Sequence, residues 1–382
     1  MQYGPVSTEG PRRRRVRGRV FVGALVIVFV GSGIATAQMV ATDDDSPRVV
    51  APESTTAMRG TRAVAETKTT TIPSGPIDLG FTRSLSFVNA NVGFALNGRY
   101  LIRTEDAGRT WRRISRLEND MIHFATASDG VASGNGPTRI TRDGGARWAP
   151  LAEPAGYLVL GWTSGRLWAT SPCAARPCAP QPLSVSDDVG RTWRRVGPAV
   201  PGDQAAPVVT TSGSTTYVLE ARSGSVNRVM RLLATDDGGA TWRHSSVPCA
   251  QGDRRFLAAT DVSLLLVCPG AAYSGVDQRK PAFLSTDGGH SWTRAPAEIG
   301  AGNVAQLTSF GSVYLAGLGR GGAAVTSDGG NSWRAPSFPL PADEGGVGFS
   351  TLPGVGVWAS KGGAGGIWFS ADGIHWEKRA GG

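Results

Sequence analysis

The sequence predicts an all-β chain: a seven-bladed β-propeller with a hairpin motif in every blade, preceded by an N-terminal transmembrane or signal segment. Three observations predict it. An eight-residue motif recurs seven times, its tryptophans fall 37, 45, 49, 50, 41 and 43 residues apart, and an uncharged apolar stretch follows an arginine cluster near the N-terminus. Composition agrees, since 53 glycines and 11 tryptophans in 382 residues imply many turns and a repeated packing role for the large aromatics.

The motif copies occupy 104–111, 141–148, 186–193, 235–242, 285–292 and 326–333, with a last copy at 370–376 that is one residue shorter. Each sets an Asp, a Gly and a Trp at fixed places: Asp106, Gly108 and Trp111; Asp143, Gly145 and Trp148; Asp188, Gly190 and Trp193; Asp237, Gly239 and Trp242. The series continues with Asp287, Gly289 and Trp292, with Asp328, Gly330 and Trp333, and ends in Asp372 and Trp376. A four-stranded blade takes about 40–50 residues, so each copy marks one blade. Seven such blades suit a closed ring, whose closure protects the edge strands. Within the first unit, 84–88, 92–96, 100–104 and 111–114 read as four strands, with the motif as the hairpin loop between the last two. In that loop the Asp accepts backbone N–H bonds, Ser and Thr hydroxyls add further bonds, Gly takes a positive φ and Trp packs under the turn. Repetition in every blade marks a folding device, whereas catalysis needs one asymmetric cluster. No copy has the alternating oxygen donors of a calcium loop.

The N-terminus reads as a targeting segment. Residues 1–19 form a basic cytoplasmic segment with Arg12, Arg13, Arg14, Arg15, Arg17 and Arg19, and 20–41 carry no charge. Basic residues before an apolar span keep that side in the cytoplasm and send the rest across the membrane. Two readings stay open: a retained anchor, or a signal peptide cleaved near Ala35-Thr36-Ala37. Residues 42–79 read as a disordered linker, and 80–382 as the propeller. Six arginines and one acid lie in 1–41, so the formal charge of +9 falls to +4 over the rest (33 basic, 29 acidic). That balance, with no long basic run, argues against nucleic acid as a partner.

The motif resembles the Asp-box, or BNR repeat, found in sialidases, xyloglucanases, sortilin-type receptors and the photosystem II assembly factor family. The segment Phe87-Val88-Asn89-Ala90-Asn91-Val92-Gly93-Phe94-Ala95-Leu96, followed by 101–108, is most similar to the last of these. That resemblance implies a seven-bladed propeller without catalysis that docks another protein. The pattern is eroded at 264–267 and 313–315. A sialidase-type glycoside hydrolase is the alternative. The arginine expected near the domain start is missing at Thr71-Ile72-Pro73, and Tyr217 and Glu220 are spaced for opposite faces of a strand.

Four cysteines occur, Cys173, Cys178, Cys249 and Cys268. In an exported domain they are expected to pair, and of the three connectivities Cys173–Cys178 with Cys249–Cys268 is favoured. The second pair is expected to join adjacent strands of blade five, and His244 alone lies near enough in sequence to support a zinc alternative. Gly317, Gly319 and Gly322 match a dinucleotide-loop pattern, but a strand follows instead of a helix, so the segment reads as a hairpin turn. The histidines are scattered, and the pairs Arg112-Arg113, Arg194-Arg195 and Arg254-Arg255 read as solvated outer-strand residues. The expected protein is an extracytoplasmic monomer, membrane-anchored or secreted, with no catalytic residues, no metal and no cofactor. It would bind an unidentified protein or envelope ligand. Residues 60–80 are candidates for an outer strand that closes the last blade.

Overall fold

A computed structural model describes residues 72–381 except 74, 135, 152–157, 164, 172–179, 201–206, 221–230, 250–254, 270–278, 320–321, 338–346 and 362–365. Residues 68–382 form one unit. The basic segment, the apolar stretch, most of the linker, and Cys173 and Cys178 lie outside the described residues.

The unit is a seven-bladed β-propeller. Seven antiparallel sheets follow one another along the chain, and each is built from inner to outer strand in sequence order. Blade 1 consists of Thr82–Phe87, Gly93–Asn97, Tyr100–Thr104 and Arg112–Arg116. These strands match the sequence reading to within two residues at each end. Blades 2 to 7 repeat the plan over 121–150, 158–200, 208–246, 256–294, 303–334 and 347–380. Blade 6 has three full strands, its fourth reduced to the bridge between Val325 and Arg334.

This topology gives the ring two unlike ends. The motif hairpins and the hairpins between first and second strands lie at one end. The hairpins between second and third strands, and all blade-to-blade connections, lie at the other.

The apolar core is distributed between blades. Every neighbouring pair shares a cluster of buried side chains, from Phe94, Leu101 and Phe124 between blades 1 and 2 to Val313, Val357 and Trp368 between blades 6 and 7. Second strands are buried on both sides, as in Leu264–Val267 and Val313–Gly319, because each blade is sandwiched by two others. The erosion of the family pattern in these two strands therefore leaves their packing role intact.

The inner strands meet edge to edge without pairing, so their exposed backbone groups need other partners. Side chains of neighbouring blades supply them. The amides of Ile122 and Phe124 in blade 2 donate to the hydroxyls of Ser84 and Ser86 in blade 1, at 3.2 and 2.9 Å. Gln306 in blade 6 both accepts from and donates to the backbone of Phe349 in blade 7, at 2.8 and 3.0 Å. The Ser309 hydroxyl donates to the Ala259 carbonyl across blades 5 and 6.

Closure uses the same devices as every internal interface. Glu377–Ala380 is the outer strand of blade 7, the place the sequence reading offered to residues 60–80, of which 60–71 lie outside the described residues. Blades 7 and 1 are joined by side chains. Phe87 and Trp358 stack with ring centroids 3.9 Å apart, the Trp358 indole N–H donates to the Ala107 carbonyl at 3.2 Å, and the Phe87 amide donates to the Ser350 hydroxyl at 3.2 Å. Ile77 and Leu79, just before the first strand, pack into this cluster.

The closure makes a mechanical prediction. Trp358 is fully buried at the seam, whereas Val262 is 74% exposed on a hairpin. Trp358→Ala should destabilise the ring by about 3–5 kcal/mol, and Val262→Ala by less than about 0.5 kcal/mol. Urea unfolding of both variants measures the contrast, and similar midpoints would refute the seam as a structural weak point.

Candidate functional site

The seven motif loops are closed polar units. In blade 1 the Thr104 hydroxyl donates to Asp106 Oδ1 at 2.8 Å and accepts from the Gly108 amide at 2.9 Å. Asp106 Oδ1 also accepts the Thr110 amide at 2.8 Å, and Oδ2 accepts the Thr110 hydroxyl at 2.6 Å. Asp188, Asp237, Asp287 and Asp328 make the same set. Blade 2 lacks the final hydroxyl because Arg147 stands there, yet the Arg147 amide still donates to Asp143 at 2.9 Å. The shorter last copy is completed differently. His375 Nδ1 lies 2.6 Å from Asp372 Oδ2, in the role that a Thr or Ser hydroxyl fills elsewhere.

In blades 1 to 6 two consecutive residues of the loop take positive φ, whereas the shorter loop of blade 7 has Gly373 alone. The second is always Gly, but the first is Ala107 (φ 63°) in blade 1 and Val189 (φ 58°) in blade 3, a conformation costly for a β-branched side chain. At the second place Gly is required by space as well. A Cβ on Gly239 would lie 2.7 Å from Val196 Cβ of blade 3. The loop is thus pressed against the preceding blade, and the tryptophans follow it. Trp148, Trp242, Trp292, Trp333, Trp376 and Trp193 each join the cluster shared with the blade before, and Trp111 joins the cluster shared with blade 7.

These contacts set the electrostatics. The Ser332 hydroxyl, working against partial desolvation and aided by the Ser332 amide and the Thr326 hydroxyl, holds Asp328 at about 2. Burial pulls Asp188 the other way, but the Thr192 hydroxyl and amide and the Ser186 hydroxyl prevail, again at about 2. Asp106, Asp143, Asp237, Asp287 and Asp372 are lowered too. All seven carboxylates stay ionised and internally occupied near neutral pH, the state of a structural group and not of a general acid.

The opposite end is where the blades cease to be alike. The connections between second and third strands are 98–99 in blade 1 and 320–321 in blade 6, but 171–180, 220–230 and 268–281 in blades 3, 4 and 5. Side chains brace the bases of the longer ones. Glu220, wholly buried, receives both arms of Arg231 at 2.6 and 3.0 Å. Cys249 and Cys268 form a disulfide, with Cα atoms 5.5 Å apart. Its placement differs from the sequence reading. Cys249 lies in the connection that leads into blade 5, and Cys268 directly follows the second strand, so the bond ties a connection to a loop base and does not link two adjacent strands.

Tyr217 and Glu220 do not converge. The Tyr217 hydroxyl reaches the motif loop of blade 5, 3.3 Å from where a Cβ on Gly288 would sit, while Glu220 is clasped at the other end. Burial pushes His123 down to about 4, so it is neutral near pH 7, although part of its surface remains reachable. His244 and His290 are exposed and apart. Among the described residues no group of His, Cys, Asp and Glu is arranged to hold a metal ion. The arginine pairs on the outer strands divide: Arg113 donates to the carbonyls of Pro73, Gly75 and Pro76, Arg194 donates to the Gly238 carbonyl of blade 4, and Arg195 is exposed. Arg254 lies outside the described residues.

This ring of motif-bearing blades belongs to the BNR repeat-like domain family, whose model matches residues 83–296. Among curated proteins no sequence match was found. Among solved structures the chain is similar to an ancestral GH74 enzyme (13% identity, TM-score 0.58), matching 80% of this chain and 47% of that one. It is similar to hydrazine synthase of Kuenenia stuttgartiensis (10% identity, TM-score 0.55; 79% and 98%) and to YCF48 bound to a D1 peptide (17% identity, TM-score 0.38; 79% and 81%). The chain spans about half the length of the GH74 enzyme. At these identities the likeness is one of fold.

Two measurements test the site's electrostatics and bracing. A carboxyl lowered in the folded state adds stability above its unfolded value of about 3.9 and loses it as pH falls through its folded value. With Asp188 and Asp328 at about 2, Tm should fall steeply between about pH 4 and 2. Asp188→Asn should start lower and fall less over that window, and a parallel decline would refute the linkage. Breaking the Cys249–Cys268 bond, which spans 19 residues, should cost about 3 kcal/mol. The Cys249→Ser/Cys268→Ser double variant, compared with wild type by urea unfolding, gives that value directly.

Proposed function

We propose that this chain is a non-catalytic binding or assembly module at the cell envelope, engaging a protein partner through the end of the ring opposite the motif loops. One observation carries the reading. The connections between second and third strands are much longer in blades 3, 4 and 5 than in blades 1 and 6, and all of them leave from that end, while the motif carboxylates are spent inside their own loops. Irregular loops mounted on a rigid, repeated frame are where binding residues concentrate. The Glu220–Arg231 pair and the Cys249–Cys268 bond fix the strand ends from which two of these connections leave, which fits a rigid frame for a binding face.

Export is part of the proposal. The arginine cluster and apolar stretch would place the ring outside the cytoplasm, as an anchored or a released domain. A disulfide buried in the blade 4–5 cluster fits an oxidising compartment.

Cross-linking and pull-down of the tagged full chain from native membranes, read by mass spectrometry, tests the docking role. One stoichiometric protein should be recovered, and a variant with 172–179 replaced by Gly-Ser should lose it while keeping its Tm. Recovery of no enriched protein, or hydrolysis of a sialoside or a β-glucan by the purified chain, would overturn the reading.

A further inference from the structure

Blade 2 has the shortest outer half among the blades with four strands. Its third and fourth strands, Arg139–Thr141 and Ala149–Pro150, are three and two residues long. Blade 1 carries a five-residue outer strand, Arg112–Arg116, alongside. The mismatch leaves a groove of about 340 Å³ between them, toward the end of the ring that carries the blade-to-blade connections, lined by Arg116, Glu118, Asn119, Pro137, Arg139 and Trp148. That is the small end of the roughly 300–1,000 Å³ typical of ligand pockets, enough for one compact molecule.

The charges in the groove do not cancel. Arg116 lies 3.7 Å from Glu118. Asn119 is buried, its side-chain amide donating to the Pro137 carbonyl at 3.1 Å, so it forms a fixed wall. Trp148 is anchored through its indole N–H to the Ser115 hydroxyl at 3.3 Å and is half-buried, leaving part of the ring toward the groove. Arg139 is half-buried, and its guanidinium pairs with no carboxylate among the described residues. A guanidinium presented beside an indole, with the Glu118 carboxylate and a backbone carbonyl near, offers a fork for one carboxylate, an apolar surface for a ring and acceptors for hydroxyl donors.

We infer that this groove binds a hexuronic acid unit, a sugar ring carrying one carboxylate, with Arg139 taking the carboxylate and Trp148 the ring. A peptide is disfavoured by the backbone. On the blade 2 side the edge strand is two residues long and includes Pro150, which has no N–H to give, so strand addition there has nothing to build on. A neutral sugar would leave the Arg139 charge unmatched. The groove is separate from the long connections of blades 3 to 5, so its failure as a site leaves the docking reading intact, and the reverse also holds.

The test is calorimetric titration of the detergent-solubilised full chain with glucuronate, glucose and a glutamate-rich peptide at fixed salt, for wild type, Arg139→Gln, Arg139→Lys and the exposed control Arg195→Gln. Saturable glucuronate binding is expected. It should weaken about tenfold or more in Arg139→Gln, as for loss of a charge-assisted bond, be partly kept in Arg139→Lys and be unchanged in Arg195→Gln. Glucose should bind far more weakly than glucuronate. Thermal melts establish that the variants fold, and Arg139→Lys preserves the test if Arg139→Gln does not. Absent glucuronate binding, equal affinity for glucose, an unchanged Arg139→Gln or binding of the peptide alone would each overturn the proposal.

Discussion

The structure depends on one contact repeated seven times: a motif loop and its tryptophan pressed against the preceding blade. The contact is steric and specific. Gly239 has no room for a side chain beside Val196, Gly145 none beside Leu101, and Gly108 little beside Ile367. The loop can come so close only because its own polar groups are already satisfied. Asp, Ser and Thr bond within the loop, so its carboxylate and hydroxyls enter an apolar interface already paired, while the buried indole N–H groups of Trp292 and Trp333 find no acceptor. The tryptophan then contributes its ring to the gap between blades, as Trp148 does edge-on to Phe124 at 6.1 Å and Trp242 to Trp168 at 6.1 Å.

That contact makes the ring cooperative along its circumference. Each blade is stable because two neighbours cover its faces, and the same logic governs closure. The last motif loop packs on blade 6 through Gly373 and Val313, and the first packs on blade 7 through Gly108 and Ile367. No strand is exchanged at the seam. The Phe87–Trp358 stack and the Ser350 hydroxyl substitute for it, and they repeat what Phe94–Phe124, Ser84 and Ser86 do between blades 1 and 2.

Much of this was legible in the sequence, and the limits have physical causes. Motif spacing revealed the blade number, since each blade must supply its own loop and tryptophan. The third strand of blade 1, 100–104, was read to the residue because a hydrophobic run ends directly at a motif. The site of tryptophan packing was not legible. Spacing along one chain places Trp111 near its own loop, but its partners Ile367 and Trp358 lie on the last blade. Positive φ at Ala107 and Val189 was also hidden, because the residue types deny it and only the neighbouring copies with Gly-Gly hint at it. His375 could not be recognised as the closing donor of a shortened loop until its ring was seen beside Asp372. Arg139 gave no signal, because its place in the groove is a fact about the end of blade 1 as much as about blade 2.

The two ends of the ring therefore answer to different constraints. At the motif end every blade must present the same loop to the same kind of groove, and the large changes of side chain fall at positions that point outward, such as Arg109, Arg147, Arg191 and His290. At the other end no such contact is repeated, and loops of different length are tolerated because each needs only a braced base. The cost of a longer connection rises slowly with its length, so blades 4 and 5 can carry theirs on a clasp, Glu220–Arg231 in one and a disulfide in the other. The groove of blades 1 and 2 follows from the same freedom expressed in reverse. Blade 2 still gives its loop and Trp148 to the seam with blade 1, as the ring requires, but shortens its outer strands, which the ring does not constrain. The space this opens retains an anchored tryptophan and gains an arginine that pairs with no carboxylate among the described residues, and selection can act on such a position without disturbing the fold.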